Sequence, residues 1–174
     1  MQSYSIKPVG VVRSVYREAS LVLEDQDLRL NEEVLTRTKT GKESVAELVI
    51  EKEYEPCLDG IEGFSHIVVL YWAHKTDTQK AKMAKKVHPA GKKEYPPVGI
   101  FATRSPARPN PICSTTVKLL GRKQNVLKVK GLDALDGSPI IDIKFHHPSY
   151  DAPPNVEWPD WMNKLITFFR QKLK

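Results

Sequence analysis

The sequence predicts a mainly β chain: a small β-barrel, or a strongly bent sheet, with one helix at the C-terminal end. Three observations carry this. At least six short strand-like segments follow one another with turn residues between them, and good helical patterns are few. The strongest core signal, "HIVVLYW" at 66–72, is apolar on both parities, as a strand buried on both faces is. "PDWMNKLITFFRQKLK" at 159–174 differs from these and has helical spacing.

The elements follow in order. "IKPVGVVRSVY" (6–16) reads as a strand, with Val9, Val11 and Val15 on one parity. Residues 18–44 are polar and weakly periodic, a long connection or a helical excursion around "VLEDQDLRLNEEVL". "SVAELVIEKEY" (44–54) is a strand candidate, and Asp59-Gly60 and Gly63 mark turns before the 66–72 run. A short basic helix fits 75–86, stopping before Pro89. "VGIFAT" (98–103), "STTVKLLG" (114–121), "NVLKVKGLDAL" (125–135) and "SPIIDIKFH" (138–146) are the remaining strands, separated by Gly121 and by Asp136-Gly137, a hairpin signal. In the final helix Pro159 suits the first turn, and Trp161, Leu165, Phe168 and Phe169 share a face expected to pack on the barrel or on a partner subunit.

Bulk properties bound the class. A chain of 174 residues, 40% hydrophobic and 28% charged, fits one globular domain with room for a terminal extension. No apolar run reaches membrane-helix length, and the N-terminus lacks a signal peptide's apolar run, so a cytoplasmic protein is expected. Cys57 and Cys113 form no CxxC pair and are expected to be reduced thiols. The net charge is +6, and all of the excess falls between Lys75 and Arg104, where eight basic residues meet two acidic ones. Such a cluster either attracts phosphates and other polyanions or forms a solvated lysine-rich surface.

There is no Gly-rich phosphate loop, HExxH, GxSxG or GxGxxG, so a Rossmann nucleotide site is unsupported. Three constellations remain. In "GIFATRSPARPNPI" (99–112), Pro106, Pro109 and Pro111 stiffen a segment carrying Thr103, Arg104, Arg108 and Asn110. Guanidinium forks suit carboxylates and phosphates, and a rigid loop presents them at low ordering cost; the alternative is ordinary surface ion pairing. In "LDALDGSPIIDIK" (132–144), Ile140, Asp142 and Lys144 alternate with Ile141, Ile143 and Phe145. If the second set fills the core, Asp142 is a candidate general base or cation holder, or simply part of a solvent-facing alternation. His66 opens the buried strand, as a satisfied core residue or a catalyst. His146-His147 with Asp142 do not make a convincing metal set, because adjacent histidines point apart in a strand; no metal is expected.

Taken together, "KPVGVVRS", "GIEGFSHIVVLYWAH", "HPAGKKEYPPVGIFATRSPARPNPI" and "VKGLDALDGSPIIDIK" resemble the TrmO (YaeB-like) family of S-adenosylmethionine-dependent tRNA methyltransferases, over roughly residues 6–148. The resemblance implies a small β-barrel methyltransferase, unrelated to the Rossmann type, spanning 1–148, with 149–174 a helical extension to which nothing is carried over. It implies a homodimer that binds S-adenosyl-L-methionine and methylates the exocyclic N6 of threonylcarbamoyladenosine beside the anticodon of threonine tRNAs. By match, Phe101, Ala102, Thr103, Arg104, Leu135, Asp136 and Gly137 become cofactor contacts, with Arg108, Pro109 and Asn110 shaping the site. Asp142, Lys144 and His66 are candidates for holding or deprotonating the substrate, and an arginine fork such as Arg104 for reading the threonyl carboxylate. The basic 75–93 segment would grip the anticodon stem-loop. Two departures adjoin the site. Cys113-Ser114-Thr115 replaces the usual Gly-Leu-Ser, and Phe145-His146 follows "DIK" where the family has Pro-Tyr. Two further readings compete: a noncatalytic barrel that binds RNA through 75–104, and the same scaffold methylating another substrate.

Overall fold

The computed structural model describes residues 2–37 and 43–172, with Arg37, Lys82 and Met83 described by their backbone alone. Residues 38–42 of the expected 18–44 connection, the Lys82 side chain, and the expected helix end at Leu173 and Lys174 lie outside the described residues. In chain order the elements are β1 (Gly10–Arg13), β2 (Leu21–Glu24), β3 (Asp27–Leu30), α1 (Glu32–Arg37), β4 (Val45–Ile50), β5 (His66–Trp72) and α2 (Thr78–Met83). There follow β6 (Lys86–Val87), β7 (Val98–Gly99), β8 (Ile112–Lys123), β9 (Val126–Lys130), β10 (Pro139–Phe145), α3 (Pro148–Asp151) and α4 (Asp160–Lys172). The chain divides into two units: residues 1–17, 41–74 and 112–151, and residues 18–40, 75–111 and 152–174.

The first unit is the barrel. Six antiparallel strands close in the order β1-β10-β5-β8-β9-β4. In its core Val12, Leu48, Ile67, Val69, Val117, Leu127, Val129 and Ile140 are fully or almost fully buried. β5 alternates, with Ile67, Val69 and Tyr71 buried and Val68, Leu70 and Trp72 half-buried, so its outer face is less covered than the apolar run predicts. β1 is much shorter than the expected 6–16 strand. β8 is longer than expected, and Gly121 lies within it at a register shift rather than ending it. The β8–β9 turn falls instead at Gln124-Asn125, where Gln124 takes a left-handed φ of 54° and the Asn125 amide donates to the Ile50 carbonyl.

The Asp136-Gly137 turn does not join a hairpin. β9 pairs with β4 and β8, while β10 pairs with β1 and β5. After β9 the chain buries Leu132 and Ala134 in the core before turning, so β10 starts beside β1. A tight-turn dipeptide dictates the local reversal, not the strand that receives it.

The second unit is built of short pieces. The 18–44 segment contains a hairpin, β2–β3, not anticipated from sequence. Asp25 and Gln26 both adopt positive φ (48° and 64°), as a two-residue turn matched to strand twist requires. The expected 98–103 strand is only two residues long and passes into a 3₁₀ turn over Ile100–Ala102. Ile100 is buried, whereas Phe101 and Ala102 are exposed, so tertiary demand ends the extended run. Leu28, Ala84, Val87, Ile100 and Ala107 form this unit's small core.

α4 forms as expected and makes contacts within its own unit. Trp161 meets Tyr95 at 6.3 Å between centroids, the Lys92 ammonium sits 4.0 Å from the Phe168 centroid, and Lys172 pairs with Glu32 on α1 at 2.7 Å. Among the described residues, no helix is long and apolar enough to cross a membrane.

Gly91 locks β3 to the 88–91 turn. Its φ is +69°, and a Cβ there would stand 2.2 Å from the Leu28 carbonyl oxygen. Gly60 has a φ of +85° but open space around it. Chemical denaturation is therefore expected to find Gly60→Ala destabilised by about 1 kcal/mol and Gly91→Ala by more than about 2 kcal/mol. Equal losses would contradict the close approach at Gly91.

Candidate functional site

The stiff 99–112 segment is held from within. Thr103 Oγ1 donates to the Ile100 carbonyl (2.8 Å) and accepts from Ser105 N–H (3.2 Å), and Ser105 Oγ accepts from Ala107 N–H (3.2 Å). Arg108 turns inward: Nε donates to the Ser105 carbonyl (2.8 Å) and Nη2 to the Thr103 carbonyl (2.6 Å). Its guanidinium thus ties the segment to itself, and its fork satisfies carbonyls that have no strand partner. Phe101, Ala102, Arg104 and Asn110 remain at the surface, Phe101 with 78% of its area exposed. The segment is a frame whose outward members are an aromatic ring, a guanidinium and an amide.

In the barrel, the turn after Ala134 is stitched to β1 and the residues that follow it. Asp136 N–H donates to the Tyr16 carbonyl (2.8 Å), Gly137 N–H to the Val12 carbonyl (2.9 Å), and Val12 N–H to the Ser138 carbonyl (2.9 Å). Ser14 Oγ donates to the Ala134 carbonyl (2.8 Å). The Asp136 carboxylate accepts from Ser14 N–H (3.0 Å) and pairs with Arg17. The Ser14 hydrogen bond, with Arg17 nearby, outweighs partial desolvation and holds the Asp136 pKa below its ordinary value near 3.8. Asp136 is therefore committed to the turn, while Leu135 and Gly137 shape its rim.

Two residues of this unit not singled out in the sequence join the turn. His74 Nδ1 lies 3.2 Å from the buried Ser138 Oγ, and His74 Nε2 is 3.8 Å from where a Gly137 Cβ would stand. Tyr16, whose carbonyl holds Asp136, is buried, and its hydroxyl has no hydrogen-bond partner among the described residues. A buried hydroxyl left unpaired costs about 1–3 kcal/mol. A lone histidine after a tryptophan and a tyrosine at a strand end carry no periodic signal, so only the fold locates them.

The substrate-side candidates lie elsewhere on the barrel. A register shift between Ile140 and Asp142 resets the alternation of β10, so Ile140 and Ile143 both face the core. Asp142 and Lys144 then lie on the other face and pair with each other at 2.6 Å, which raises the Lys144 pKa through its hydrogen bond to the carboxylate. His66 is exposed, with Nδ1 2.9 Å from Ser65 Oγ. The barrel also carries a polar trio: Tyr71 OH and Thr115 Oγ1 both donate to Asp133 Oδ1, at 3.0 and 2.6 Å. Burial, then the Asp133 charge, pushes the Tyr71 phenol far above its usual range, so it stays a neutral donor.

Of the basic residues between 75 and 104, Lys80, Lys85, Lys86, Lys93 and Arg104 are largely exposed. Among the described residues, no group of three or more His, Cys, Asp or Glu side chains could hold a metal ion.

Comparisons with known proteins fall on the same segments. A family model described as the tRNA-methyltransferase O N-terminal domain matches residues 30–152. An S-adenosyl-L-methionine-binding protein of Archaeoglobus fulgidus is 38% identical over 152 residues, covering 87% of this chain and 96% of that protein. The crystal structure of TrmO from Pseudomonas aeruginosa superposes with a TM-score of 0.64 at 25% identity, over 90% of this chain. The chain spans 62% of the length of that solved protein.

Two outcomes are expected from this geometry. Arg108→Ala removes two carbonyl partners and should cost about 1–3 kcal/mol. It should also speed amide exchange at Ser105 and Ala107; unchanged exchange there would contradict the strut. Because the folded Asp136 pKa is lowered, its stabilisation is complete above the ordinary value near 3.8 and is lost as pH falls through the folded value. The thermal midpoints of the wild type and Asp136→Asn should therefore differ at neutral pH and converge in acid. A gap that widens in acid would contradict the assignment.

Proposed function

Since the chain belongs to the TrmO family, we propose that it is an S-adenosyl-L-methionine-dependent methyltransferase that methylates N6 of threonylcarbamoyladenosine beside the anticodon of threonine tRNA, working as a cytoplasmic homodimer. The observation that carries the donor assignment is the 134–138 turn. Its backbone is fixed by β1, the tyrosine whose carbonyl holds it has a buried hydroxyl with no partner among the described residues, and the His74 imidazole lies against its serine. This suits a ligand such as S-adenosyl-L-methionine, whose ribose hydroxyls donate and accept, whose ammonium donates and whose carboxylate accepts. When bound, that cofactor supplies an electrophilic methyl group on a sulfonium.

The chain's own residues then have three tasks. The first is holding the donor still, since alignment with the nitrogen supplies much of the rate. On the barrel we assign this to Tyr16, Leu135, Asp136 and Gly137. On the second unit we assign it to Phe101, Ala102, Thr103, Arg104 and Asn110, with Arg108 as the strut that positions them. The second task is reading the threonyl carboxylate, which suits the planar fork of Arg104 and would exclude unmodified adenosine. The third is taking the N6 proton, because an amide-like nitrogen is a poor nucleophile. The candidates for this are Asp142, whose carboxylate pairs with Lys144, and His74, whose Nδ1 lies 3.2 Å from Ser138 Oγ. Asp142, Lys144 and His66 are assigned to the RNA side, and the exposed lysines of 75–93 to tRNA phosphates.

The test is transfer of labelled methyl from S-adenosyl-L-methionine to two tRNA preparations, one carrying threonylcarbamoyladenosine and one lacking it. Label is expected only in the modified tRNA, and Arg104→Ala should reduce it at least a hundredfold, about the loss of one charge-assisted fork. No label in either preparation, despite cofactor binding, would overturn the tRNA assignment and favour another methyl acceptor.

A further inference from the structure

At one end of β5 and β10 the barrel displays four aromatic rings in succession. Phe64 stacks on Phe145 with centroids 4.9 Å apart and planes 18° from parallel. Tyr150 meets Phe145 edge-on at 6.0 Å, and His147 meets Tyr150 edge-on at 6.0 Å. Phe64 is 40%, Phe145 45% and Tyr150 77% exposed. Water-facing rings are common singly, but a run whose members fix one another's orientation is a surface prepared for contact.

The charges around the rings point to what covers them. The flanking segments carry four carboxylates, and each is engaged. Asp59 and Glu62 pair with Arg122 (3.1 and 3.4 Å), and Asp142 with Lys144 (2.6 Å). Asp151 accepts from His147 N–H at 3.0 Å. Lys118, across from His66 in the β5–β8 register, is exposed, with no ion pair to a described residue. Rings with free π-surface, engaged carboxylates and an available ammonium are the elements that single-stranded nucleic acid requires.

We propose that Phe64, Phe145 and Tyr150 form a stacking platform for unpaired bases of the RNA substrate, with Lys118, on β8 across β5 from the rings, for backbone phosphate. Bases stacked inside a duplex cannot reach such a platform, whereas splayed loop bases can. This inference rests on the reading of RNA as substrate, and it assigns the unpaired loop, as distinct from the stem, to the barrel.

The experiment measures fluorescence anisotropy of a labelled anticodon stem-loop RNA and of a fully paired RNA. The proteins are the wild type, Phe145→Leu, Tyr150→Leu and the double variant; leucine keeps apolar bulk but removes the π-face. Phe145→Tyr serves as the conservative control, and S-adenosyl-L-methionine binding by calorimetry checks each fold. The double variant is expected to bind the stem-loop at least about tenfold more weakly. Paired-RNA affinity and cofactor affinity should not change, and Phe145→Tyr should behave as wild type. Equal stem-loop affinity in wild type and leucine variants would overturn the platform and leave the tRNA reading standing. Failure of the wild type to bind either RNA would overturn both. A change of oligomeric state in the leucine variants at unchanged RNA affinity would assign the rings to self-association and overturn the platform.

Discussion

Closure of a six-stranded barrel here depends on a strand of four residues. β1 must satisfy β4 on one edge and β10 on the other, and an unclosed edge would leave a row of backbone groups unpaired. It spans both, but it reaches only two residues of β10. The rest of that edge is completed by the 134–138 turn, through Val12, Ser14 and Tyr16. The same hydrogen bonds that close the barrel therefore fix the turn proposed to hold the methyl donor. Fold and site share one set of interactions, which explains why the Asp136 carboxylate is consumed by structure while neighbouring rim positions stay available.

The second unit solves a similar problem by other means. With strands of two to four residues and a small core, it holds the 99–112 segment by local hydrogen bonds, by the prolines and by the inward guanidinium of Arg108. Rigid frames of this kind suit group transfer, where small misplacements of the reacting atoms cost large factors in rate. The contacts of α4 with Lys92, Tyr95 and Glu32 brace the stretch leading into that frame.

Much of this was legible in the residues, for physical reasons. The apolar parity of 66–72 and 126–130, and the amphipathic spacing of 160–172, are signals that burial imposes directly on sequence. What was not legible depended on partners distant in the chain. Asp136-Gly137 announces a turn, but only the burial of Leu132 and Ala134 sends the next strand to β1. The shift near Ile141 brought Ile140 onto the core face with Ile143, where strict alternation separates them, and a bulge leaves no mark in an Ile-Ile-Asp-Ile string. The β2–β3 hairpin was hidden because Asp-Gln is not a typical two-residue turn pair. The Arg-Pro pattern singles out Arg104 and Asn110, and the family resemblance adds Phe101. Arg108 could not be distinguished from them, because the direction of a guanidinium is set by the carbonyls around it. Tyr16 and His74 emerged only once the turn was in place.

The central claim is that the β1-stitched turn is where S-adenosyl-L-methionine is held, and it can be tested without any RNA. Calorimetric titration of S-adenosyl-L-methionine into the wild type and Tyr16→Phe isolates the one hydroxyl that, among the described residues, is buried without a protein partner. The account expects saturable binding to the wild type, at least about fivefold weaker binding to the variant, and an unchanged or higher thermal midpoint, since an unpaired buried hydroxyl stabilises nothing. Equal affinity in both proteins, or no binding by the wild type, would contradict it.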